Sequence, residues 1–261
     1  MRRTTFAVMI LLVSLRMMAQ DATAERQIFE LLNGERVAHG LKPLEFNSKL
    51  AAVAEQHSVL MILHHGLSHQ FADEADPTAR MVRSGVHFDS TGENVATAKD
   101  AASAHDGLMN SPPHRANILN PKFTTVGIGV VRSENAVYVT QDFVRAVPEY
   151  SVEQAERRIV DFVTSLRRSA GRLPLPLIQQ PELRKHACAM AKENLISMAK
   201  VRTLPNVSTT VVFTTADLST MPQSLEPLKM ASGSGMSVGV CYAVAPSNSI
   251  PQYWVAVVTY F

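Results

Sequence analysis

Ala24-Glu25-Arg26-Gln27-Ile28 returns later in the chain as Ala155-Glu156-Arg157-Arg158-Ile159. The same offset then pairs Arg36 with Arg167, Gly40 with Gly171, Pro43 with Pro174 and Leu44 with Leu175, without a gap. Self-similarity at a fixed offset marks a repeated structural unit. At the far ends Val126-Gly127-Ile128 matches Val238-Gly239-Val240, and residues 137–143 match residues 255–261. A chain of 261 residues is also longer than one hydrophobic core usually organises. Two related domains are therefore expected, meeting near Pro148-Glu149-Tyr150.

The repeat is uneven in chemistry. With a two-residue insertion, His57-Ser58 falls opposite Met190-Ala191, while Tyr138 and Gln141 fall opposite Ala256 and Thr259. Eight of the nine histidines lie in the first half. The second copy keeps apolar and turn positions and loses polar ones, a pattern of packing without site chemistry.

Local patterns supply the elements. Ile28, Phe29, Leu31, Leu32 and Val37 recur at helical spacing, and Gly40 is placed to end that helix. Asn47 is a cap for a second helix carrying Leu50, Val53, Ala54, His57 and Met61, and Asp100 caps a third that runs to about Asn110. Residues 126–131 and 136–144 are rich in β-branched and apolar side chains and read as a hairpin joined through Ser133-Glu134-Asn135. Helices followed by antiparallel strands predict an α+β fold, with helices packed on a small sheet.

The N-terminus has the layout of a secretory leader: Arg2 and Arg3, an apolar run from Phe6 to Leu15, then small residues ending in Ala22-Thr23-Ala24. Cleavage is expected near Ala24. The run is too short to span a bilayer and no cysteine lies near the cleavage point to carry a lipid, so no stable membrane anchor is expected. Removing residues 1–24 takes away Arg2, Arg3, Arg16 and Asp21, which cancels the formal charge of +2. A nucleic-acid binder keeps a basic stripe, so no nucleic-acid partner is expected. Export permits a disulfide between Cys188 and Cys241, and two buried thiols are the other reading of the pair. Asn206-Val207-Ser208 is a glycosylation sequon, of consequence only in a host that glycosylates exported proteins.

Five stretches of the first half follow one another in order: Leu32-Asn33-Gly34-Glu35-Arg36, His57-Ser58, Ser68-His69, Gly92-Glu93-Asn94, and Ser111-Pro112-Pro113-His114-Arg115-Ala116-Asn117-Ile118-Leu119. The hairpin adds Val126-Gly127-Ile128-Gly129 and Tyr138-Val139-Thr140-Gln141-Asp142-Phe143. Their order and spacing resemble the bacterial branch of the CAP superfamily, the cysteine-rich secretory, antigen 5 and pathogenesis-related proteins that share the SCP domain. The resemblance implies an α-β-α sandwich over residues 25–147 and, through the repeat, a degenerate CAP-like sandwich over residues 151–261, each with a small antiparallel sheet flanked by helices. Residues 148–150 would link them.

In that family histidines and glutamates converge in a central cleft that in several members holds a divalent cation. By the resemblance His69 and Glu93 match the first histidine and glutamate. Tyr138 stands where many eukaryotic members have a further histidine, Ser111 stands near the expected second glutamate, and His114 is the residue nominated to fill the gap. Asn94 and Gln141 complete the expected cleft. Leu108, Leu60 and Pro113 also replace residues common in the family, which weakens transfer of ligand preference but not of fold.

Two imidazoles and one carboxylate, His69, Glu93 and His114, make a zinc set with a fourth position left to water or ligand; a metal-free hydrogen-bonded cluster is the alternative. Zinc could activate bound water for hydrolysis. Neighbours on a helix point apart, so His57-Ser58 is no base and nucleophile pair, and His57 on the apolar stripe reads as a buried, hydrogen-bonded structural residue. Ser111, His114 and Glu93 could imitate a serine hydrolase set, but Pro112-Pro113 is no nucleophile elbow. Asn33, Arg80 and Asn117 are expected to be structural, Arg80 supporting the loop between His69 and Glu93 and Asn117 pinning the loop after the third helix.

The preferred expectation is a secreted or periplasmic, non-catalytic binding module for an extracellular lipid, peptide, glycan or protein. A metal-assisted hydrolase of peptide or cell-wall material is the first alternative, and a purely structural surface protein the second.

Overall fold

The computed structural model describes residues 20–199, 201–246 and 250–261. The chain divides into two compact units, one running through Ala146 and the other from Val147 to Phe261. Most of the expected leader lies outside the described residues. Its last residues do not: Asp21 caps the helix Ala22–Ala38 (α1), its side chain accepting from Ala24 N, and Ala24 is buried. The expected cleavage near Ala24 thus falls inside a packed helix, and residues 20–24 belong to the folded unit.

The first unit continues through β1 (Glu45–Phe46), α2 (Ser48–Leu63), α3 (Pro77–Arg83), β2 (Phe88–Ala98), α4 (Ala101–Asn110), α5 (Pro112–Ile118), β3 (Thr125–Arg132) and β4 (Val137–Ala146). The sheet order is β1-β3-β4-β2. Its pairs are antiparallel except β1 with β3, which is parallel. Asn47 and Asp100 cap α2 and α4 as N-caps, their short side chains accepting otherwise orphaned backbone N–H groups. Residues 112–118, expected as a loop, form a helix instead. Pro112 sits in its first turn, where a missing N–H costs nothing.

Strand alternation sorts β3 between two layers. Val126, Ile128 and Val130 face the core made with Ile28 and Leu32 of α1 and Ala104 and Leu108 of α4. Gly127 and Gly129 face α2, where a Cβ at either position would overlap the backbone of Leu50–Ala51 or Ala54–Glu55. Glycine lets that helix lie directly on the sheet. Arg36, at the end of α1, is buried and donates to the carbonyls of Lys42, Ile118 and Asn120 at 2.8–2.9 Å and of Phe123 at 3.3 Å, tying loop ends to the helix.

The second unit contains α6 (Val152–Ser169), α7 (Pro181–Glu193), β5 (Val207–Thr215), β6 (Gly235–Ala243) and β7 (Gln252–Tyr260). Short 3₁₀ turns lie at Val201–Thr203 and Gln223–Lys229. The strand order is β5-β7-β6, all antiparallel, and Leu177 bridges Met236 in the parallel sense. On β7, Tyr253, Val255 and Val257 face a core with α6, while Trp254, Ala256 and Val258 face one with α7. Each unit is an α-β-α sandwich. Arg167 repeats the arginine knot, donating to the carbonyls of Leu173, Leu228 and Ala231 at 2.9, 3.0 and 2.7 Å. Gly239 lies against the backbone of Leu183 and Arg184 as Gly127 does against α2. Cys188 on α7 and Cys241 on β6 form a disulfide.

The sheet register corrects one alignment. Gly127 pairs with Asp142, whereas the matched Gly239 pairs with Ala256. Anchored on these glycines, Ala256 stands where Asp142 does, not opposite Tyr138, and Gln141 corresponds to Val255. The hairpin between β6 and β7 is longer than that between β3 and β4, which displaces the match.

Candidate functional site

The chemistry of the first unit gathers on the α2 face of its sheet and in the loop between α2 and α3. His69, in that loop, leaves 53 % of its side chain exposed and brings Nδ1 to 2.8 Å from Oε1 of Glu93 on β2. A carboxylate only accepts, so the proton lies on Nδ1 and a neutral ring presents the Nε2 lone pair as an acceptor. The other oxygen of Glu93 accepts from Nη2 of Arg80, on α3. Arg80 is buried, donates from Nη1 to the His69 carbonyl at 3.0 Å and the Ala75 carbonyl at 3.1 Å, and pairs with Glu74 at 3.1 Å.

His57 closes the network from α2. It is fully buried, with Nε2 at 2.8 Å from the Ser68 carbonyl and Nδ1 at 3.1 Å from Glu74 Oε2. The carbonyl cannot donate, so Nε2 must carry a proton. The Glu74 contact then needs one more, on the ring or on the carboxyl. Ser58, next in sequence, turns elsewhere: its hydroxyl donates to the Gly129 carbonyl at 2.9 Å and lies 2.8 Å from the Thr140 hydroxyl.

Behind Glu93 lies Asp142, opposite it across the β2–β4 ladder and with no exposed surface. Burial first, and the Glu93 charge second, push its carboxyl well above the usual range. Neither oxygen finds a donor, yet the two carboxyls lie within hydrogen-bonding reach of each other. Both observations agree if Asp142 keeps its proton and donates it to Glu93. Arg80 already faces both Glu74 and Glu93, so one guanidinium serves two carboxylates before Asp142 is counted.

Of the remaining expected residues, His114 neighbours His69, while the others lie on other parts of the unit. Asn94 and Gln141 point to the opposite face of the sheet from Glu93 and Asp142. Asn94 Nδ2 donates to Gln141 Oε1 at 3.0 Å and to the His114 carbonyl at 3.1 Å. Asn117 Nδ2 donates to Asn94 Oδ1 at 2.9 Å and to the Glu93 carbonyl at 3.1 Å, fixing α5 to β2. Burial, and then the neighbouring His69, hold the His114 imidazole below its usual range, so it is neutral near pH 7. Ser111 is the hinge residue between α4 and α5 and makes no side-chain capping bond. Tyr138 sits toward the far end of β4, paired with Thr97 and Val131. Asn33 exchanges hydrogen bonds with the backbone of Leu44 at 3.1 and 2.7 Å.

The arrangement bears on the expected cation. Among the described residues no three His, Cys, Asp or Glu side chains are grouped to hold a metal ion. Both oxygens of Glu93 are engaged, one by His69 and one by the Arg80 guanidinium, so a cation held there with His69 and His114 would compete with these contacts. Asp142 and Glu74 were not singled out from sequence. Asp142 had a signal, an acid on an inward-facing position of a strand whose neighbours are buried. Glu74, in an irregular loop, had none.

A family profile described as "CAP: Cysteine-rich secretory protein family" matches residues 29–143. A Bacillus subtilis (strain 168) protein described as "Uncharacterized protein YkwD" is 36% identical over 121 residues, which cover 46% of this chain and 46% of that protein. "Uncharacterized membrane protein YlbC" from the same strain is 37% identical over 126 residues, 48% of this chain and 35% of that one. The chain thus spans less than half the length of these curated relatives. Among solved structures, an extracellular protein containing a SCP domain from Bacillus anthracis str. Ames is 35% identical, with a TM-score of 0.44, over 47% of this chain and 40% of that one. An outer surface protein from Borrelia burgdorferi is 17% identical, with a TM-score of 0.46, over 49% of this chain and 97% of that one. The part of the chain that matches the CAP family therefore lies within the first unit. No helix among the described residues is long and apolar enough to cross a membrane.

Proposed function

We propose that the chain is an exported, non-catalytic binding protein, with a polar cleft at His69 in the first unit and a degenerate CAP-like copy of that unit as its structural companion. The observation that carries the reading is the half-exposed His69 ring, oriented by Glu93, which Arg80 in turn fixes. Such a ring is a preset hydrogen-bonding group for a polar ligand such as a peptide or glycan. Cys188 and Cys241 are joined to each other and the Ser58 hydroxyl is held by the Gly129 carbonyl and Thr140, so none of these supplies a nucleophile to His69.

The Cys188–Cys241 disulfide supports export, since such bridges persist in oxidising compartments. The matched arginine knots and strand orders support descent of the second unit from a duplication.

The test is nitrogen-edited NMR of the His69 ring while N-acetylated chitotriose or a mixed tetrapeptide is added. Saturable shifts that vanish in His69→Ala are expected. A silent His69 with both probes counts against the cleft. One metal ion per chain, lost in His69→Ala, together with chelator-sensitive turnover of peptide or cell-wall material, would replace binding by metal-assisted hydrolysis.

A further inference from the structure

The two units differ at a second place, remote in sequence from the cleft. In the first, the ring of Phe29 on α1 meets that of Phe46 on β1 edge to face, with centroids 5.5 Å apart. The repeat puts Val160 where Phe29 stands. The parallel ladder puts Gln179 where Phe46 stands: Phe46 pairs with Val126, and counting on from the Leu177–Met236 bridge brings Gln179 level with Val238, the match of Val126. Neither replacement is a ring.

At that place the second unit has a cavity of about 430 Å³, walled by Val160, Gln179 and Val238 with the apolar side chains of Leu177 and Ile178. A place that holds two rings in one unit and a valine and an amide in the other leaves room for a ring, and its volume suits a small ligand.

The rim supplies a charge preference. Arg184 donates to Glu156 through Nε at 3.1 Å and Nη2 at 2.8 Å, and to Glu153 through Nη1 at 3.2 Å. One guanidinium balances one of these two carboxylates, and the rim charges of Arg157 and Asp161 offset each other. Glu153 accepts from its own backbone N–H and the Ser151 hydroxyl, which hold it below the usual carboxylate range, so it is ionised at neutral pH.

We propose that this cleft of the second unit binds a small aromatic cation, with the ring against Val160 and Val238 and an ammonium or guanidinium group directed at Glu153 and Glu156. The choice of a ring and of the positions to refill rests on reading the unit as a second copy. The cavity and its charges stand without it.

Phenethylamine is the probe, titrated into the full-length protein and followed by protein NMR. Saturable binding is expected with a Kd on the order of millimolar, as suits a ligand of this size. 3-Phenylpropionate, with a similar ring and the opposite charge, should bind at least about tenfold more weakly. Val160→Phe, alone or with Gln179→Phe, should abolish binding without lowering the Tm of the second unit, and Glu153→Gln should weaken it several-fold. His69→Ala should bind as wild type, so failure of the first unit's cleft and failure of this site are separable. Absence of saturable binding, equal affinity for the two probes, survival of binding in both ring-restoring variants, or loss of binding in His69→Ala would each overturn the proposal.

Discussion

One row of residues runs across each sheet at the same height. In the first unit it reads Gly127, Asp142, Glu93; in the second, Gly239, Ala256, Val212. The glycine that admits the helix is kept, and both acids are replaced by apolar side chains. The arginine knot is likewise kept, as Arg36 and Arg167. The requirements of the backbone and the requirements of the site are therefore carried by different residues, and the second unit has the first set without the second. One packing position did change. Gly129 touches the backbone around Glu55, and at the matched position the second unit has Cys241 joined to Cys188, a covalent link in place of a close approach.

Those differences can be tested in order of size. Replacing Cys188 and Cys241 together by alanine should cost the second unit about 2–5 kcal/mol, because the bridge closes a loop with a sequence separation of 53, and should leave the first unit's thermal transition in place. A shift of both transitions would show that the bridge is not local to one unit. Arg36→Met and Arg167→Met should each lower the stability of their own unit by about 3 kcal/mol, since several buried carbonyls lose their donor. Unequal losses, read by calorimetry, would break the equivalence of the knots.

Asp142→Asn should raise the stability of the first unit at neutral pH, because the amide fills the same place without a buried group that must ionise against Glu93. The folded pKa is raised, so the folded state holds a proton that the unfolded state releases once pH passes the ordinary carboxylate range. Stability is full below that range and falls as pH climbs toward the raised value; the variant should lose this slope. His105 and His114 act in the other direction. Burial is the first cause lowering both, so the unfolded state binds protons first as pH falls below about 6.5, and the first unit should lose a further fraction of a kcal/mol there. His105→Gln should reduce that acid slope.

Much of the scaffold was legible because it depends on local chemistry. Asn47 and Asp100 cap helices because their side chains accept from backbone two or three residues on. The strands of the β3–β4 hairpin follow from their richness in β-branched and apolar side chains. Helix α5 escaped because Pro112-Pro113 reads as a breaker unless it falls in a first turn, where it is tolerated. The far end of the repeat was mismatched because loop length moves strand register without leaving a mark in the strands. His69 and Glu93 were read as partners and stand 2.8 Å apart. The guanidinium on the far side of Glu93, and the acid beneath it, depend on how a loop and two strands meet in space, which spacing along the chain does not encode.

The paired arginine knots give the molecule an internal reference. Any solvent change, temperature step or denaturant that loosens the shared architecture acts on Arg36 and Arg167 alike. With the Cys188–Cys241 bridge replaced, a response confined to the half that carries His69 points to its acids and imidazoles, measured against a blank synthesised on the same ribosome, at the same concentration and in the same tube.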